Sequence, residues 1–153
     1  MNSALVAAVG DFGYNLFLLL HLLSVAVGAG MAFTATRINS DARALGGYRT
    51  SETTQASANR FVFPGLLLAG IFGGGMVGFA DDELDPLISF DQAWLTAAGI
   101  LWVISLILSL IIYPPQRFNV FNATEERRRS LVPWLHLTLV ALFVDMIWKD
   151  SLF

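Results

Sequence analysis

Four apolar runs constrain this chain more than any other feature, each close to the ~20 residues a helix needs to cross ~30 Å of hydrocarbon. They fall at residues 14–34, 61–79, 94–113 and 131–148. In lipid, every backbone N–H and C=O must be satisfied within its own segment, so each run is predicted to be a transmembrane α-helix. The expected fold is all-α, a four-transmembrane-helix bundle forming one integral membrane domain over residues 1–153. Composition agrees: 56% of residues are hydrophobic and 14% charged, against about 25% charged in soluble domains. The lipid bilayer is therefore the first partner. Pro114 and Pro115 close the third run, because consecutive prolines cannot continue a helix.

Charge placement orients the bundle. The segment after the first span holds Arg37, Arg43, Arg49 and Arg60; the segment after the third holds Arg117, Arg127, Arg128 and Arg129. The opposite side has only Lys149. Basic residues mark cytoplasmic loops, so both Arg-rich segments are expected inside and both termini outside, across a bacterial inner membrane. The first run is expected to be a retained helix rather than a cleaved signal, since no Lys or Arg precedes Arg37. TSETTQASANR is expected to form a short helix, capped by Thr50 or Ser51 and running into span two with a bend at Pro64. The outer segment ADDELDPLISFDQ is acidic but lacks the alternating ligand spacing of a calcium loop, and reads as a solvated loop. A net charge of −3 gives no electrostatic footprint for nucleic acid. With no cysteine, thiolate metal sites and disulfides are excluded.

The residues that invite a function are few. His21 lies in the first span on a face shared with Tyr14, Ser24 and Gly28; ionisable groups in a span turn toward protein. His136 and Asp145 lie in the fourth, nine residues apart and so on nearly opposite faces. A haem b held by two imidazoles would use the two histidines. Their depths differ by ~10 Å at 1.5 Å per residue, which disfavours such a pair and leaves His21 as the leading candidate ligand, with His136 as an interfacial residue. Asp145 can reach the level of His21, with Lys149 one turn beyond it, so a His21–Asp145–Lys149 polar cluster is the alternative. Gly70, Gly74 and Gly78 recur every four residues in span two, a small-xxx-small face for close helix packing against Gly28 of span one or against another chain. Trp94, Trp102, Trp134 and Trp148 read as an interfacial aromatic belt. No nucleophilic triad, zinc ligand set or nucleotide loop can be assembled, so no catalytic residue is assigned.

The stretches FLLLHLLSVAVGAGMAF, FVFPGLLLAGIFGGG, WLTAAGILWVISLILSLIIYPP and WLHLTLVALFVDMIWKD follow one another in this order. Together they resemble a family of four-helix bacterial integral membrane proteins of unknown function. The resemblance implies the same four-helix fold and no particular activity. It is loosely similar to copper-resistance and haem-pathway membrane domains, whose helices carry further histidines that this chain lacks. The expected function is a non-enzymatic membrane module or accessory subunit, with a protein partner or second copy on the glycine face. A haem- or metal-binding protein using His21 and a small proton-coupled transport component are the alternatives.

Overall fold

The computed structural model describes residues 12–80, 93–115 and 123–147. Four helices account for nearly all of them: α1 (Phe12–Ala44), α2 (Tyr48–Ala80), α3 (Ala93–Ile112) and α4 (Glu125–Ile147). Each is long and apolar enough to cross a membrane. The fold is the expected all-α four-helix bundle, with no strand among the described residues.

The first two helices are longer than the sequence pattern suggests. At 33 residues each they extend ~50 Å, well beyond the ~30 Å hydrocarbon thickness. The segment expected to run into span two as a short helix is continuous with it, and Pro64 sits inside α2. α2 begins at Tyr48, ahead of the expected Thr50 or Ser51 cap. The start is fixed by the turn before it. Gly46 has φ +72°, a left-handed conformation that only glycine adopts without penalty. The Gly47 N–H donates to Ala42 O at 2.7 Å, the long bond of a Schellman cap that ends α1. The Gly47 carbonyl then accepts from Ser51 N and opens α2. α4 likewise starts six residues before the expected span, where the Thr124 hydroxyl accepts from Arg127 N.

Packing divides the bundle into two hairpins, α1 with α2 and α3 with α4, which touch each other more sparingly. A compact core lies toward the Arg-rich end, where Ala32, Ala35, Ala58, Val62, Tyr113, Leu135 and Leu139 are buried. Small residues on α1 and α2 let the two backbones meet. A methyl group added at Gly28 would lie 2.6 Å from Leu66 N, and one added at Gly65 would lie 2.6 Å from Gly28 Cα. At Gly28 and Gly65 the two backbones of the first hairpin therefore approach closely, in the way small residues pack membrane helices. Large apolar side chains such as Leu19, Leu22, Ile71, Ile100, Ile107 and Leu137 remain exposed. Such an all-round apolar surface suits a helix bundle solvated by lipid.

Candidate functional site

Toward the other end the helices separate around a cavity of about 300 Å³ lined by all four of them. Its volume falls at the lower end of small-molecule sites, roughly 300–1,000 Å³. The walls are almost wholly apolar, including Val25, Val77, Leu95, Leu142 and Phe143. Three polar side chains reach it: His21, Trp102 and Ser105. Two of these are fully engaged with protein. The Trp102 indole N–H donates to Leu66 O at 2.8 Å. Gly70 permits this, because a side chain there would collide with the indole ring. Trp102 is thus a mid-bundle strut between α3 and α2, not a member of the interfacial belt expected from sequence. Ser105, fully buried, donates to the Thr138 hydroxyl at 3.2 Å, tying α3 to α4.

His21 differs from the other two. It is buried, and its Nδ1 lies 2.7 Å from Ala69 O. A carbonyl oxygen only accepts, so Nδ1 donates, and in the neutral ring Nε2 keeps its lone pair. No protein atom hydrogen-bonds Nε2 among the described residues. A carbonyl holding one imidazole nitrogen while the other stays open is the arrangement that orients histidine ligands of metals. Gly73 makes the ring position feasible, since a methyl group there would stand 3.1 Å from Nδ1.

The other sequence candidates sit elsewhere. His136 Nε2 lies 3.3 Å from Ala32 O and 3.4 Å from the Thr36 hydroxyl, and its ring stacks on Phe33 at 4.6 Å. It belongs to a polar cluster with Tyr113, whose hydroxyl is 3.1 Å from that of Thr36. His136 is therefore bonded between helices, and it does not line the cavity of His21. Asp145 is buried, and its Oδ2 has no hydrogen-bond partner. Among the described residues no hydrogen bond joins His21 to Asp145; His21 bonds instead to the α2 backbone. Lys149, the third member of that expected cluster, lies outside the described residues.

The glycine face also resolves differently along its length. Gly70 receives Trp102, Gly74 has open space where a side chain would stand, and the surroundings of Gly78 lie outside what is described. The face serves the cavity wall and the indole, whereas the close backbone approach of the first hairpin is at Gly28 and Gly65. Gly65 opens a second small-residue repeat, Gly65, Ala69 and Gly73, that the sequence reading did not single out. Met146, which also escaped the sequence reading, lines the same cavity as His21.

The fold and site define a four-span helical membrane protein with an apolar cavity and one open imidazole nitrogen. Comparison with protein-family profiles, with curated proteins and with solved structures finds no match.

Proposed function

We propose that this chain is a non-enzymatic membrane module, an accessory subunit or carrier, that holds an apolar ligand in the cavity between its hairpins. The observation that carries this reading is the convergence of all four helices on one apolar space whose polar groups are satisfied except at His21. An apolar ligand would enter from the bilayer, where such molecules concentrate. The clustering of eight of the nine basic residues beside two segments supports an N-out, C-out orientation. This reading takes a bacterial inner membrane as the location. A partner protein or a second copy would meet the exposed apolar faces of the bundle, such as that of Leu19, Ile71 and Ile100.

A second reading, that the ligand is haem b or a related metal centre, is favoured by one specific observation. The Ala69 carbonyl fixes the His21 tautomer that presents Nε2 as a donor. His136 supplies no second imidazole, because its Nε2 is committed to Ala32 and Thr36. Met146 is the other soft donor on the cavity wall, and a thioether and an imidazole together would be able to hold a haem iron. When bound, such a group would supply one-electron chemistry, while this chain would fix its orientation and exclude water.

The visible absorption spectrum of the protein purified in mild detergent separates the two readings. A Soret band that is lost or shifted in His21→Ala supports the haem reading. A colourless protein that carries a lipid-soluble small molecule supports the general one. A colourless protein free of any co-purifying small molecule contradicts both.

A further inference from the structure

We propose that the Arg-rich end carries an anion site for a phosphate group, built around Arg128 and suited to an anionic phospholipid headgroup. This inference is independent of the cavity at the opposite end. A groove of about 480 Å³ opens between α1, α2 and α4 beside the end of α3. Its lining includes Thr36, Asn39, Gln55, Tyr113, Arg128 and Arg129.

The hydrogen-bond inventory of this groove singles out one cation. The Asn39 side-chain amide donates to Gln55 Oε1 at 3.0 Å, and the Gln55 amide donates to Asn59 Oδ1 at 3.0 Å. The hydroxyls of Thr36 and Tyr113 are 3.1 Å apart. Arg129 Nε donates to Glu125 Oε1 at 3.2 Å. Among the described residues the Arg128 side chain has neither an ion pair nor a hydrogen bond, and its Nε is buried without a partner. A buried guanidinium N–H left unpaired costs free energy. A phosphate oxygen is the partner that a planar guanidinium matches best.

The surrounding charges favour that occupant. Glu125, the acidic residue in the groove, is already engaged by Arg129. Asp41, on the facing hairpin, is paired with Arg37 at 3.1 Å, and Glu52 and Glu126 are exposed. Arg128 also lies in the first turns of α4, whose N-terminal dipole is positive. The groove sits where the apolar part of the bundle gives way to its Arg-rich extension. Basic pockets between helices at that level bind phospholipid headgroups.

The test uses the full chain purified in mild detergent with equal amounts of phosphatidylglycerol and phosphatidylcholine, and counts retained lipid by native mass spectrometry. Wild type is expected to retain phosphatidylglycerol preferentially. Arg128→Gln should lower that preference at least about fivefold, the weight of one interfacial arginine, while the exposed neighbour variant Arg127→Gln keeps it. Pyrophosphate added in phosphatidylcholine alone is the second arm. A rise in melting temperature for wild type but not for Arg128→Gln, without any lipid preference, would assign the site to a soluble phosphate instead. Equal retention of both lipids by wild type, with no pyrophosphate shift, overturns the proposal whether or not the variants fold. So does an equal loss of preference in Arg127→Gln and Arg128→Gln.

Discussion

At the scale of single residues, the two ionisable groups buried toward the cavity end behave oppositely. His21 has its Nδ1 satisfied by Ala69 O, whereas Asp145 is buried with an unpartnered oxygen. Removing a bonded group costs stability, and removing an unsatisfied one relieves it. His21→Ala is therefore expected to destabilise by about 1–3 kcal/mol, combining the lost bond with the space it leaves. Asp145→Leu, which removes the unpartnered oxygen at similar size, should be neutral or raise the melting temperature. The double variant should be additive within about 0.5 kcal/mol, since no bond joins the pair. Thermal unfolding in one detergent checks all three, and a coupling above about 1 kcal/mol would restore the direct contact expected from sequence. The sequence places His21 and Asp145 within reach in depth, but depth and helical phase do not reveal that a backbone carbonyl of α2 is nearer. A carbonyl is a partner that every residue supplies, so no side-chain pattern announces it.

At the scale of elements, the helices themselves are legible because twenty apolar residues admit one solution in lipid. Their ends are less so, since α1 and α2 continue as polar helices beyond the apolar pattern. The Gly46 turn that ends α1 depends on a single positive φ. The packing of the hairpins is the least legible level. A repeat of glycines at Gly70, Gly74 and Gly78 marks a smooth face, yet smoothness can admit a backbone, an indole or a ligand. The Gly28–Gly65 crossing instead pairs two glycines from different helices, and its partners become neighbours only once the crossing is known. Because backbone atoms of Gly65 and Leu66 stand against Gly28, they cannot rotate aside as a flexible side chain can. Gly28→Ala is expected to separate α1 from α2 and destabilise by about 1–3 kcal/mol, as overpacking does. Gly30→Ala, with nothing within 4 Å of the added methyl, should be neutral or slightly stabilising through helix propensity. Comparison of the two melting temperatures checks the crossing; equal effects would contradict it.

At the scale of the whole molecule, the bundle is asymmetric along its axis. The Arg-rich end is tightly packed and laced by the His136, Thr36, Tyr113 and Asn39 clusters. The opposite end opens around glycines into the cavity of about 300 Å³. The distribution of residue types foreshadows this in part, with alanines common in the buried core and Gly70, Gly73, Gly74 and Gly99 in the cavity wall. The cavity itself is a property of how two hairpins lean apart, which no one segment encodes. The direct measurement is a comparison of ligand occupancy in wild type and Gly74→Leu by native mass spectrometry from mild detergent. Gly74 lines the cavity and has open space where its side chain would stand, so leucine should fill the site without straining the fold. Wild type is predicted to carry a co-purifying small molecule, and Gly74→Leu to lose it while melting at an equal or higher temperature. Retention of the same molecule by a folded Gly74→Leu, or its absence from wild type, would contradict the account.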